Sequence, residues 1–353
     1  MRNPLERDLD HVLAHTEGLW DDLRGARLFI TGGTGFFGCW LLETLLWAND
    51  RLSLDASIVA LTRNAAAFER KTPHLARHPA VALHEGDVRR LEYTGGAFSH
   101  VVHAATDSST TLAQGDRLEM FDTIVGGTRR ALEFARRCGA TRFLLTSSGA
   151  VYGRQPPDLA HIPEDYPGGP DPADARQVYA EGKRTAELLC ALFADGRLEP
   201  TIARCFAFVG PYLPLDVHFA VGNFIRDALD GGPIRIAGDG TPYRSYLYGA
   251  DLATWLWTIL LRGQPMRPYN VGSPEALTIE ELAHAVAQAI APAAPVSVAR
   301  SKVAGAPAER YVPSVRRTES ELGLRVTVPL AEAVRRTAAW HHAFNRDSRA
   351  GHA

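Results

Sequence analysis

The sequence predicts an α/β fold, a doubly wound parallel sheet followed by a smaller C-terminal α/β part. Three observations carry that prediction. Strand-length apolar runs alternate with stretches of helical apolar spacing through the first two hundred or so residues, the pattern of a parallel sheet with right-handed crossovers. The first run feeds a glycine turn, Thr31-Gly-Gly-Thr-Gly-Phe-Phe-Gly38, that opens a helix. The length of 353 residues, with 46% hydrophobic and 22% charged residues, suits one large unit or two closely joined domains.

The residues before the first strand, 1–24, mix acids and histidines with leucines, so no secretory signal is expected. Pro4 to Leu23 reads as an extra amphipathic helix with Leu5, Leu9, Val12, Leu13, Leu19 and Trp20 available for packing. The strand Ala26–Ile30 then enters the glycine turn. There the first glycine, Gly32, permits the sharp turn, Gly35 lets backbone approach a pyrophosphate, and Gly38 lets helix pack on strand. Free N–H groups at the helix start, by Phe36 and Phe37, face the phosphates. The helix runs from Phe36 to Trp47.

The second strand, Ser57–Thr62, ends in Thr62-Arg63 where such sites often carry an acid for the ribose hydroxyls. No carboxylate stands there, and Arg63 tilts the choice between NAD and NADP toward NADP. A third strand, Val81–His84, leads into Gly86-Asp87-Val88. A fourth, Ser99–His103, leads into Ala104-Ala105, small enough for a flat cofactor to lie close. An amphipathic helix, Leu118 to Arg137, precedes the fifth strand, Arg142–Ser148.

The chemistry follows that strand. Tyr179, 31 residues beyond Ser148, and Lys183 lie four apart at the start of a helical pattern that runs to Phe193, and so share one face. A phenol titrates near ~10 in water, too high for a base at neutral pH. A nearby ammonium and the positive charge of an oxidised nicotinamide are expected to favour the phenolate. Ser148 can hydrogen-bond the same substrate oxygen. The set Ser148, Tyr179 and Lys183 suits proton removal from an alcohol while hydride leaves its carbon.

Composition excludes other classes. A formal net charge of −2 gives no reason to expect nucleic acid. The cysteines, Cys39, Cys138, Cys190 and Cys205, are scattered, with no CxxC or His-rich cluster. They predict core thiols of a reduced, cytoplasmic protein and no metal site. No apolar run is long enough to cross a bilayer.

The order TGGTGFFG, GDV, HAA, LLTSSGAVYG, YAEGK and RCFAFVGP resembles the extended short-chain dehydrogenase/reductase superfamily, and within it the nucleotide-sugar epimerase/dehydratase branch. The likeness runs from about Arg24 to about His342. It implies a Rossmann-type domain over 25–205, a mainly substrate-binding part over 206–344 with segments returning to the sheet, and a disordered tail over 345–353. It makes Gly32, Gly35 and Gly38 the pyrophosphate turn, Asp87 and Val88 the adenine-side contacts, and Ala104 and Ala105 the cofactor wall. It makes Ser148, Tyr179 and Lys183 catalytic, and Asn223 and Arg244 contacts to the diphosphate of a nucleoside-diphosphate sugar, with Asn270 a weaker candidate. A homodimer formed through helices 117–137 and 176–194 is also implied. One departure is Ile124, where the family commonly has asparagine.

The residues after the catalytic serine narrow the reaction. Similar 4,6-dehydratases usually carry Asp-Glu there, and similar decarboxylases a glutamate at the second place; this chain has Gly149-Ala150, and neither moves a proton. Oxidation or reduction at one carbon remains, and the motif block most resembles the epimerase branch, which implies a 4-epimerase passing through a transient 4-keto sugar as the expected activity. A 4-ketoreductase, a dehydratase drawing acids from elsewhere, a decarboxylase and a cofactor-binding sensor are the alternatives.

Overall fold

A computed structural model describes residues 3–92, 95–105, 116–217, 219–303 and 305–350, with side chains to residue 343. Seven strands form one sheet. From edge to edge these are Pro268–Val271, Glu199–Cys205, Arg142–Ser148, His100–His103, Arg27–Thr31, Ser57–Thr62 and Val81–Glu85. Every neighbouring pair is parallel, so this is a Rossmann fold. Arg27–Thr31 has Ser57–Thr62 on one side and His100–His103 on the other. The strand order reverses there, and a crevice opens beyond the strands' C-terminal ends. Gly32 and Ala104 sit at that point.

Central strands are apolar on both faces because helices cover both: Leu28, Phe29, Ile30, Phe143, Leu144 and Leu145 are fully buried. The helices Arg117–Arg137 and Val178–Phe193 pack on each other. Gly182 permits the approach, since a Cβ there would lie 3.2 Å from the Ile124 side chain. Ile124, where a polar link was in question, is thus a packing residue.

The segment before the first strand departs from expectation. It is a helix, Glu6–His15, then a single 3-10 turn, Trp20–Leu23. The break falls where Gly18 adopts φ +72 and the Thr16 hydroxyl accepts from Trp20 Nε1 at 2.7 Å. Leu5, Leu9, Val12, Leu19 and Trp20 are buried as read, while Leu13 is only half-buried. Asp8 fastens this helix to the C-terminal half, accepting from Tyr248 Oη at 2.8 Å and from Arg336 Nη1 at 2.5 Å. The tail over 345–353, expected to be disordered, is helical as far as Ala350: the last helix runs Leu330–Ala350, because each further residue adds a backbone bond to a turn already formed. Residues 351–353 lie outside the described residues.

Smaller strands complete the C-terminal half. Tyr243–Arg244 pairs with Leu277–Thr278 and with Arg310–Tyr311. The four cysteines are buried and unpaired. No helix among the described residues is long and apolar enough to cross a membrane.

Candidate active site

The glycine turn is built by contact. Gly32 has φ +70, and a Cβ there would lie 2.5 Å from the Ala104 carbonyl carbon, so first and fourth strand ends touch through backbone. Ala104 N–H donates to Thr31 O at 3.1 Å and Ala105 N–H to Thr31 Oγ1 at 3.2 Å. His103 braces the same point, with Nδ1 2.7 Å from Thr31 Oγ1 and Nε2 3.1 Å from Thr128 Oγ1. Burial pushes this imidazole down to about 3, so it is neutral.

Gly38 is needed by the protein itself, since a Cβ there would meet Gly32 O at 2.3 Å. Gly35, the N-cap of the helix Phe36–Leu52, is different: a Cβ there would touch only Gly32 O, at an ordinary 3.5 Å. No protein atom demands glycine at 35, and the space fits the backbone approach of a dinucleotide pyrophosphate to a helix N-terminus. The residues present therefore fit NAD.

Around this turn, Phe36 and Phe37 are half-buried, and the Phe37 ring meets Phe208 edge-on with centroids 5.0 Å apart. Thr62 is buried and Arg63 exposed at the end of the second strand. Asp87 is tied to Arg89, accepting from its Nη2 at 2.7 Å and its backbone N–H at 2.8 Å. That pairing first, with Arg63 a lesser influence, holds the Asp87 carboxyl below its usual range. Val88 is buried against Gly127.

At the fifth strand's end Ser148 is buried, and the Tyr179 side chain lies near enough for the serine hydroxyl to favour its ionised form. Lys183 is buried and donates from Nζ to Thr146 O at 2.8 Å, with Nζ 5.9 Å from the Tyr179 ring centre. Beneath them, Ser147 Oγ donates to Glu187 at 2.6 Å, and Glu187 pairs with Arg204 at 2.7 Å.

Burial pushes the Tyr179 phenol up to about 12, against a lowering by Ser148, and burial takes the Lys183 ammonium down to about 8. For Tyr179 desolvation outweighs the lowering by Ser148. The cofactor, when bound, supplies the nicotinamide that exchanges hydride with substrate, and the positive charge of its oxidised form.

The proposed substrate contacts fare unequally. Asn270 is fully buried: its amide nitrogen donates to Ile162 O at 2.9 Å and Ser314 O at 3.0 Å, and its oxygen accepts from Tyr152 Oη at 2.7 Å. Both amide protons are spent on the fold, so Asn270 is a structural residue. Asn223, with its amide nitrogen toward the loop carbonyls of Leu215 (3.1 Å) and Val217 (2.9 Å), pins the segment preceding its own helix. Arg244 faces the site edge, where Nη2 donates to Glu309 at 2.7 Å and Cζ lies 5.9 Å from the Tyr311 ring centre. Tyr311, which no sequence signal singled out, places Oη 3.3 Å from Ser148 Oγ.

A parallel sheet with a glycine turn at its switch point and a Ser-Tyr-Lys set two strands away defines a dinucleotide-dependent enzyme of the extended short-chain dehydrogenase/reductase type. Comparison places it further. Residues 28–272 match the model of the NAD dependent epimerase/dehydratase family, and the chain belongs to that family. It is 31% identical over 312 residues to UDP-glucuronic acid decarboxylase 1 of Arabidopsis thaliana, covering 88% of this chain and 68% of the relative. It is also 31% identical to UDP-glucuronic acid decarboxylase 1 of Danio rerio, covering 91% of this chain and 73% of that one. Among solved structures, dTDP-glucose 4,6-dehydratase DesIV of Streptomyces venezuelae, with NAD bound, superposes with a TM-score of 0.75 at 25% identity, over 91% of this chain and 98% of its own. UDP-glucose 4-epimerase of Thermotoga maritima shares the fold with a TM-score of 0.75 at 19% identity, over 90% and 99% of the two chains. The cofactor is therefore NAD, and the tilt toward NADP drawn from Arg63 is corrected: the family is NAD-dependent, and an exposed loop arginine is a weak indicator of a 2′-phosphate.

Proposed function

We propose that this protein acts on a nucleoside-diphosphate sugar by oxidising and re-reducing one carbon, most simply C4, and so works as a 4-epimerase. One observation carries the reading. Ser148 and Tyr179 converge on one point, while the next two residues, Gly149 and Ala150, offer no acid or base. Such a site moves a proton on and off one oxygen, and has nothing there to expel water or handle a carboxylate. Tyr179 is the group that takes the proton and Ser148 the one that holds the oxygen. Lys183 fixes the strand end, and Arg244 stands where a diphosphate oxygen can replace Glu309 as its partner.

Decarboxylation is favoured by a separate observation, the 30–31% identity to UDP-glucuronic acid decarboxylases. Against it stands Ala150. We propose further that 25–205 serves the cofactor and 206–344 chiefly the substrate, and that the protein pairs with itself in the cytoplasm. Leu118, Leu188 and Leu192, 74%, 59% and 69% exposed, give the helices Arg117–Arg137 and Val178–Phe193 an apolar outer face. Light scattering across concentrations tests the pairing; a 38.4 kDa species throughout would sink it.

The deciding experiment is to denature the purified protein, identify the nicotinamide released, and incubate native protein with UDP-glucose, dTDP-glucose and UDP-glucuronate under NMR. Near-stoichiometric NAD and a C4-inverted product are expected. A UDP-pentose with CO2 would replace the reading with decarboxylation, and a 4-keto-6-deoxy sugar with dehydration. Dependence on added NADPH and a 4-keto sugar would indicate a ketoreductase. Cofactor binding with no turnover of any sugar would leave a sensor.

A further inference from the structure

The reaction centre described so far draws on the sheet and on the helix Val178–Phe193. A fourth group reaches it from the far end of the chain. Arg310–Tyr311 pairs in parallel with Tyr243–Arg244, with Tyr311 in register with Arg244. This places the Tyr311 ring beside the Arg244 guanidinium and against Phe206, with ring centres 4.7 Å apart. Phe206 is where it is because residue 149 is glycine: a Cβ on Gly149 would lie 2.7 Å from the Phe206 ring. The residue whose smallness removes an acid from the strand end also lets an aromatic pair close over it.

The outcome is a hydroxyl at Ser148. Ser148 Oγ accepts from Ala150 N–H at 3.1 Å, and Tyr311 Oη lies 3.3 Å away. A serine oxygen has two acceptor positions and one proton. With the backbone amide and Tyr311 filling both acceptor positions, the proton is free to point at a third group. If Tyr311 instead gave its proton to Cys205 O, 3.4 Å away, the serine would donate to Tyr311 and be lost to the substrate.

We propose that Tyr311 is a positioning residue for the reaction, its hydroxyl donating to Ser148 Oγ so that the serine proton is aimed at the substrate oxygen shared with Tyr179. This rests on the role given to Ser148 under the proposed function. The ionisable groups that face Tyr311 are Arg244, Tyr179 and Cys205, and those that face Tyr179 are Cys205 and, through its ring, Lys183.

The test is a double-mutant cycle of Tyr311→Phe and Ser148→Ala in the full-length protein with NAD. Phenylalanine keeps the ring on Phe206 and Arg244 and removes only the hydroxyl. With whichever nucleotide sugar the wild type turns over, Tyr311→Phe should lower kcat about five- to tenfold, the worth of one neutral hydrogen bond, with KM within about twofold. In the Ser148→Ala background it should add nothing. Unchanged kcat, or losses that multiply, would overturn the proposal. Urea denaturation of the same four proteins reads the hydrogen bond without substrate: the double variant should lose less stability than the two single losses added. Purely additive losses would overturn the proposal whatever the substrate. Coupled stabilities in a wild type that turns over no sugar would locate the failure in the functional reading, and the positioning role would fall with it.

Discussion

Lys183 donates from Nζ to the main-chain carbonyl oxygen of Thr146 across 2.8 Å, fastening the helix that carries Tyr179 to the strand that ends in Ser148. The bond satisfies one of three ammonium protons in a site where the side chain is almost wholly buried, and burial takes the group from 10.5 down to about 8. Between those values the unfolded chain holds a proton that the folded chain has shed, so this group makes stability rise with pH over that window. In Lys183→Met that contribution is gone. Subtracting the variant's urea-denaturation stability from that of the wild type across this range isolates it from cysteines titrating nearby, and the difference should climb with pH. A flat difference would mean that Lys183 is not desolvated as described.

Tyr179 carries the proton transfer in the proposed reaction. Replacing it with phenylalanine should cut turnover by about 10²–10⁴-fold, the range for losing a general acid–base, and leave NAD affinity within a few-fold of wild type. Because burial holds the phenol near 12 and only the deprotonated form is a base, kcat/KM should rise with pH through the neutral range. Stopped-flow NADH formation and fluorescence titration with NAD check the two halves.

Gly35 and Gly38 should separate binding from folding. Gly38→Ala drives a methyl to 2.3 Å from Gly32 O and must shift the backbone, so a clear loss of thermal stability is expected. Gly35→Ala meets only Gly32 O at 3.5 Å, so the protein should melt close to wild type while NAD affinity falls at least tenfold. Equal affinities for Gly35→Ala and wild type would remove the turn from the cofactor site.

Asn270 should behave as a core residue. Asn270→Ala leaves the Tyr152 hydroxyl and the carbonyls of Ile162 and Ser314 without their partner, at a cost of about 2–4 kcal/mol summed over the buried groups. Urea denaturation reads that loss. KM for the nucleotide sugar, measured well below the melting range, should stay within about threefold; a large rise in KM with normal stability would return Asn270 to the substrate site.

Strands such as Ser57–Thr62 and Arg142–Ser148 were legible in sequence to the residue, because an apolar run bounded by turns has one way to be buried in a parallel sheet. Gly32, Gly35, Gly38, Ser148, Tyr179 and Lys183 could be singled out as candidates as well, since the roles proposed for them depend on local geometry. Asn223 and Asn270 looked like ligands because an amide in a turn motif serves a phosphate or a backbone carbonyl equally well. Only the folded neighbours decide which: the loop just before its own helix, at Leu215 and Val217, in one case, and the distant Ile162 and Ser314 in the other. Tyr311 carried no signal at all, lying 163 residues from the serine it meets.

By itself the sequence determined the parallel sheet, the glycine turn and the serine, tyrosine and lysine proposed for the reaction centre. Each follows from periodicity or from spacing along one strand or one helix. Tertiary structure alone decided the protonation of that centre and its closure. Burial moves Tyr179 and Lys183 away from their ordinary values in opposite directions, and desolvation depends on everything packed around a group. Phe206 and Tyr311 close over Gly149 and Ser148 because the strand Arg310–Tyr311 is laid beside Tyr243–Arg244, a pairing between distant segments that no local pattern encodes.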